Sequence, residues 1–273
     1  MDVLSRPAPP ADRRIHYGRG SQQFGDLWLP PQAGKAPLLV FFHGGWWRSE
    51  YDLGYAGHLC ADLKKQGIAV WSVEYRRVGI TGGGWPTTFQ DAAAGFDYAA
   101  TLAESYSLDL SRVVVMGHSA GGHLAFWIAG RHHIDPHSEI FEPRPQVPLR
   151  AAIALAGAVD LRLTIDLSGY FTFAHDKREV YALMGGPPTG FPDRYKAGNP
   201  GDLLPFHIPQ ALIQGTDDGQ IPPELPSRWA ELARRNGDTA SVTIIPGADH
   251  FDVVDPESPA WARIRDIIRR ALA

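Results

Sequence analysis

The run Ala36-Pro37-Leu38-Leu39-Val40-Phe41-Phe42 has no polar face. A strand with one side in water alternates apolar and polar residues, so a strand like this must be covered on both sides. Further short apolar runs follow at 68–73, 113–116, 151–155, 210–214 and 242–245. Segments with helical signals at 53–66, 87–106, 121–130 and 261–272 lie among them. Strands that alternate with helices predict an α/β chain built on a doubly wound, mainly parallel sheet. Two earlier strands are expected within RRIHYG (13–18) and QQFGDLWLP (22–30), with Pro30-Pro31 as the stop. Thr87 and Gln90 have the spacing of a capping box, which predicts that Thr87 caps the second helix.

Two regions depart from this rhythm. Residues 1–12 are expected as a flexible, proline-rich leader. Residues 157–209 carry aromatics, prolines and glycines, with only 178–184 resembling a helix. Long irregular insertions in compact domains often serve as lids, so a small cap over a pocket is expected there. The 273 residues otherwise read as a single domain.

Charge and cysteine count exclude several classes. A net charge of −4 and a pI near 6.2 give no electrostatic basis for binding nucleic acid or anionic lipid. Cys60 is the only cysteine, so neither an intrachain disulfide nor a cysteine metal site can form. No apolar stretch is long enough to span a bilayer. The N-terminus has prolines and charges where a secretion signal would be apolar. A cytoplasmic location is the expectation.

The chemistry concentrates in four loops. Gly117-His118-Ser119-Ala120-Gly121 fits G-x-S-x-G between a strand and a helix, the context that exposes a nucleophilic serine on a tight turn. His43-Gly44-Gly45-Trp46-Trp47 follows the apolar strand 36–42, and its glycines let backbone N–H groups turn toward a substrate oxygen. Acyl transfer passes through an oxyanion, and the donors expected for it are the amides of Gly45, Trp46 and Ala120. Two more loops each follow a predicted strand: Gly215-Thr216-Asp217-Asp218-Gly219-Gln220-Ile221-Pro222 and Ala248-Asp249-His250-Phe251. They should emerge at the carboxyl edge of the sheet beside Ser119. There His250 can take the serine proton, with a carboxylate fixing its tautomer. The chain order Ser, Asp, His suits this arrangement.

Together these motifs resemble the esterase/lipase branch of the α/β-hydrolase fold. Within it, HGGWW and GHSAGGHLA are similar to kynurenine formamidases and to related bacterial feruloyl and acetyl esterases. The resemblance runs from the DLWLP strand through VEYRR and the Gly84-Trp85-Pro86 turn to the final histidine loop. Its pattern G-x-x-D-x-x-[VI]-P implies Asp218 as the acid rather than Asp217, completing a triad with Ser119 and His250. Many relatives have a third glycine where this chain has Trp46, which places an aromatic ring at the pocket mouth. Trp46, Trp47, Trp85 and His123 are the expected substrate-binding residues.

Other candidates have blander roles. Asp160 is expected to order the start of the insertion, and Asp249 to face solvent. His43 and His118 are expected to hold loops. His132, His133 and His137 do not read as metal ligands, because Pro136 interrupts any helix that could align them. Gly82-Gly83-Gly84 lacks the lysine of a phosphate loop and reads as a turn. No metal and no cofactor are expected. The expected function is a serine hydrolase of small carboxylic esters acting through an acyl-serine, with an arylformamidase for N-formylkynurenine as the alternative. A serine peptidase would lack its usual partner domain, and a non-catalytic binding module would have lost a triad member. The expected partner is a small ester or amide substrate, with a homodimer left open.

Overall fold

Alternation within each strand decides which of two cores a side chain enters. The computed structural model describes residues 3–31, 34–143, 147–168 and 177–273. Its strands are β1 Arg13–His16, β2 Phe24–Trp28, β3 Ala36–Phe42, β4 Ala69–Val73, β5 Leu108–His118, β6 Ala151–Leu155, β7 Gln210–Gly215 and β8 Ala240–Ile245. They form one eight-stranded sheet in the order β1-β2-β4-β3-β5-β6-β7-β8. β1 with β2 and β2 with β4 pair antiparallel; from β4 onward every neighbouring pair is parallel.

The helices are α1 Gly57–Lys65, α2 Thr87–Ser105, α3 Ala120–Gly130, α4 Leu161–Asp166, α5 Lys177–Met184, α6 Pro192–Gly198, α7 Glu224–Arg235 and α8 Trp261–Leu272. Leu38, Val40 and Phe42 of β3 pack with Phe89 and Phe96 of α2, Leu124 of α3 and Trp229 of α7. Leu39 and Phe41 go to the opposite face, with Leu59 and Leu63 of α1 and Ile264 and Ile268 of α8. From Leu38 to Phe42 neither face of β3 meets water, as the composition demanded. Each fully buried Phe or Leu here contributes about 1.5–3 kcal/mol.

Several boundaries differ from expectation. The first turn of the segment at 53–66 is a 3₁₀ helix, Leu53–Ala56, which Asp52 caps by accepting from Gly54 N–H at 2.8 Å. β5 begins five residues before the expected 113. Ala36 and Pro37 pair with Leu108 and Asp109, and the register then jumps so that Leu38 meets Val113. The polar residues passed over are held locally, since Asp109 accepts from Ser111 Oγ at 2.6 Å and Arg112 Nε at 2.7 Å.

The capping box is a correction. Thr87 is the first residue of α2 and makes no cap hydrogen bond; Pro86 occupies the cap position. The Thr87 hydroxyl donates backwards to the Gly82 and Gly84 carbonyls instead. The glycine turn ahead of the helix offers these acceptors one turn too early for the box to form.

The insertion at 157–209 holds more helix than the one segment expected. Asp160 accepts from Leu163 N–H at 2.8 Å to start α4, and Pro192 stands at the first turn of α6. Residues 169–176 of the expected cap lie outside the described residues. The expected leader is packed against the body from residue 3 onward: Val3 is buried, and Arg6 pairs with Asp255 and Glu257. Among the described residues, no helix is long and apolar enough to cross a membrane.

Candidate active site

Because β3, β5, β7 and β8 run parallel, the loops at 43–47, 117–121, 215–222 and 246–251 leave the same edge of the sheet. In the second of these, Ser119 has φ 54° and ψ −121°, a left-handed backbone that a non-glycine residue rarely adopts. Such a conformation costs on the order of 1–3 kcal/mol and persists only where the surroundings impose it. Here Ser119 N–H donates to Leu155 O at 2.9 Å, while Ser119 O accepts from Gly122 and Ala158 N–H at 2.9 and 3.0 Å. Residue 121 must be glycine on spatial grounds, since a Cβ there would lie 2.1 Å from Phe42 O. α3 then starts directly after the serine, at Ala120, so the serine occupies the cap position at the positive end of the helix.

Ser119 and His250 line one cavity of about 300 Å³, together with Gly45, Trp46, Tyr51 and Tyr55. His118, Leu4, Gln220 and Phe251 complete its wall. His250 Nδ1 lies 2.8 Å from Asp218 Oδ2, so this nitrogen donates, and in the neutral ring Nε2 is the acceptor. Asp218 is saturated with donors. Its Oδ1 accepts from Gln220 and Ile221 N–H at 2.7 and 2.8 Å, and its Oδ2 also accepts from Gln214 Nε2 at 2.8 Å. Burial pushes this carboxyl up, but the hydrogen bond and charge of His250 and the two amides outweigh it and hold the group below the usual carboxylate value. The acid and histidine loops are also tied together by Asp217 N–H to Ala248 O at 3.0 Å.

The rival carboxylates are engaged elsewhere. Asp217 is exposed and accepts from the Thr216 hydroxyl at 2.7 Å. Asp249 accepts from the amides of Phe251 and Asp252 at 2.8 and 2.9 Å, closing the turn after the histidine. Asp160 caps α4 and accepts from Asn199 Nδ2 at 3.3 Å; its burial raises its pKa.

The loop after β3 turns through three successive left-handed residues, Gly45 (φ 109°), Trp46 (φ 52°) and Trp47 (φ 56°). Residue 45 has no room for a side chain, because a Cβ there would fall 2.3 Å from Tyr51 Cβ. Gly45 and Trp46 face the cavity and Ala120 is the residue after Ser119, so the three expected donors border the serine. His43 braces the loop from below: its Nδ1 contacts Gly44 O at 2.7 Å and its Nε2 contacts the buried Glu74 at 3.0 Å.

The expected set of substrate-binding residues divides. Trp46 lines the cavity, whereas Trp47, Trp85 and His123 do not. Consecutive left-handed residues turn the two indoles apart, at 72° to each other, and Trp47 is wholly buried with its face or edge to His123. His123 Nε2 donates to Gly198 O at 2.9 Å, joining α3 to the insertion, and burial lowers its pKa to about 4. Trp85 packs on Phe89 and donates to Glu139 at 2.9 Å, on a separate groove. The wall that sequence reasoning missed is Leu4, Tyr51, Tyr55 and Phe251, and the missed donor to Asp218 is Gln214. No motif marks them, although Tyr51 and Tyr55 directly follow the HGGWW loop. None of the described residues of the insertion lines this cavity. His133 Nε2 contacts Pro205 O at 2.9 Å, and no group of three or more His, Cys, Asp or Glu that could hold a metal occurs among the described residues.

Known proteins share this fold. A truncated carbohydrate esterase from gut microbiota superposes with a TM-score of 0.78 over 99% of both chains at 19% identity. Esterase B from Lactobacillus rhamnosis (HN001) gives 0.82 over 98% of this chain and 88% of its own, at 20% identity. At this identity the likeness establishes the α/β-hydrolase fold. Among curated relatives, a probable isoprenylcysteine alpha-carbonyl methylesterase of Arabidopsis thaliana is 27% identical over 90% of this chain and 52% of its own. Esterase LipC of Mycobacterium tuberculosis is 28% identical over 89% and 60%. A Drosophila melanogaster kynurenine formamidase is 24% identical over 88% and 75%. The chain thus spans little more than half the length of the first two. The BD-FAE family profile matches residues 26–231, which take in the loops at 43–47, 117–121 and 215–222, and the chain belongs to the BD-FAE family.

Proposed function

We propose that this protein is a serine hydrolase that cleaves small carboxylic esters through an acyl-serine intermediate. The observation that carries this reading is the placement of Ser119 and His250 on one cavity, with the far nitrogen of His250 held by Asp218. Ser119 Oγ attacks the ester carbonyl carbon as its proton passes to His250 Nε2. The amides of Gly45, Trp46 and Ala120 face the oxygen on which negative charge develops. The bond to the leaving alkoxide breaks, the alkoxide takes the proton from His250, and the acyl group stays on Ser119. Water then repeats the sequence and releases the acid.

A cavity of about 300 Å³ suits a small substrate. Trp46, Tyr51, Tyr55 and Phe251 offer ring faces and edges, so aryl esters should be preferred over long aliphatic ones. The esterases among the relatives support ester cleavage. The kynurenine formamidase supports a second reading, in which the same residues transfer a formyl group. The test is turnover by the purified protein of phenyl acetate, a matched alkyl acetate and N-formylkynurenine, with fluorophosphonate labelling mapped by mass spectrometry. Labelling at Ser119 and faster turnover of the aryl ester are expected. Labelling at another residue overturns the mechanism, and turnover of N-formylkynurenine alone replaces the ester reading with the formamidase one.

A further inference from the structure

His118, the variable residue of the serine elbow, is buried beside the catalytic cavity and takes no part in the mechanism above. Its Nε2 lies 2.9 Å from the backbone carbonyl of His250, its Nδ1 lies 2.7 Å from Tyr55 Oη, and its ring centre is 4.6 Å from that of His250. A carbonyl can only accept, so His118 Nε2 carries the proton of that contact. Burial, and secondarily the neighbouring His250, lower the His118 pKa to about 3, which leaves the ring neutral. Nδ1 is then a lone pair, and Tyr55 must donate to it. The tyrosine oxygen in turn accepts from Gly44 N–H at 2.7 Å.

All the proton positions are therefore determined, and they run one way: Gly44 N–H to Tyr55, Tyr55 O–H to His118 Nδ1, and His118 Nε2–H to His250 O. This chain joins the oxyanion loop, the turn Leu53–Ala56, the serine elbow and the histidine loop. Bonds aligned in series polarise one another.

We propose that Tyr55 and His118 are positioning residues: Tyr55 fixes the tautomer of His118, and His118 holds the backbone of His250 in register with the oxyanion loop. The inference rests on the triad acting as proposed above. Tyr55 does for His118 what Asp218 does for His250. With the other tautomer, His118 would set a lone pair against the His250 carbonyl, and the catalytic ring would move away from Ser119.

Tyr55 also forms cavity wall, and Tyr55→Phe separates the two roles because it keeps the ring and removes only the hydroxyl. The expected result is a fall in kcat of about tenfold or more with KM within about twofold, by the same factor for aryl and alkyl esters. Nitrogen-15 shifts should show His118 wholly as the Nε2–H tautomer in the wild type and as a mixture in Tyr55→Phe. His118→Gln, whose amide can still donate to the His250 carbonyl, should retain more kcat than His118→Leu. Unchanged kcat in Tyr55→Phe, an Nδ1–H tautomer in the wild type, or equal loss in the two His118 variants would overturn the proposal. The tautomer readout needs no turnover, so it decides the brace even if the ester-hydrolase reading fails, as absent fluorophosphonate labelling of Ser119 would show.

Discussion

Two concavities on this molecule differ in a way that separates size from chemistry. The larger, about 910 Å³, is lined by Trp85, His132, His133, His137, Arg194 and other residues of the 131–141 and 193–203 segments. The smaller, about 300 Å³, holds Ser119 and His250. The larger has histidines, carboxylates and an indole, but its walls come from surface segments. Apart from Leu4 of the N-terminal segment, the walls of the smaller come from loops that leave parallel strands at one edge, including the left-handed Trp46 and Ser119. Convergence of strand ends, each tied by its own hydrogen bonds, is what brings Ser119, His250 and the Gly45-Trp46 turn onto one cavity.

The largest expected effect belongs to the smaller cavity. Ser119→Ala should lower kcat by about 10⁶-fold while leaving the circular dichroism spectrum unchanged. Turnover of an aryl acetate at a tenth of the wild-type rate would place the chemistry elsewhere, and the larger groove would be the next place to look. Asp218→Asn should cost on the order of 10⁴ in kcat, because His250 loses the acceptor that fixes its tautomer. Asp217→Asn, at an exposed carboxylate one residue away, should cost less than about threefold. A reversal of that order would refute the assignment of the acid.

Acid stability gives an effect of intermediate size. His118 and His123 are lowered by burial to about 3 and 4, from an ordinary value of 6.5. Both are neutral in the folded chain, whereas the unfolded chain takes up their protons below about 6.5. Stability is therefore lost as pH falls from 6.5 toward the folded values, by about 2 kcal/mol for each histidine at pH 5. Asp218, lowered in the folded chain, adds a further loss only nearer pH 4 and below. Urea midpoints at pH 7 and pH 5 should separate in the wild type and draw closer in His118→Gln; an equal gap in both would show that His118 is not the neutral buried group described.

The smallest effects test the comparison most finely. Trp46→Leu should lower the aryl-to-alkyl ratio of kcat/KM by up to about tenfold, the worth of an aromatic contact of roughly 0.5–1.5 kcal/mol. Trp85→Leu, on the other groove, should leave the ratio unchanged. A change with Trp85 and none with Trp46 would move substrate binding to the larger concavity.

The sheet and the tight turns at its strand ends that carry Ser119, Asp218 and His250 were legible in the sequence because their signals are local. Leu38, Val40 and Phe42 against Leu39 and Phe41 encode two buried faces in five residues. Gly121 and Gly45 mark places where backbone or a tyrosine passes too close for a Cβ. What could not be read depends on segments distant in sequence. Tyr55 is 63 residues from His118, and Leu4 reaches the cavity through the Val3 and Arg6 contacts that seat its segment. Trp46 and Trp47 are chemically identical neighbours, and no periodicity tells which indole lines the cavity. The sequence by itself determined the periods, the tight turns and which residue types stand at the ends of which strands, because those follow from backbone sterics and burial over a few residues. Only the tertiary structure decided which rings wall the cavity, which carboxylate meets His250 and that Tyr55 meets His118, because these depend on loop paths set by contacts between distant segments.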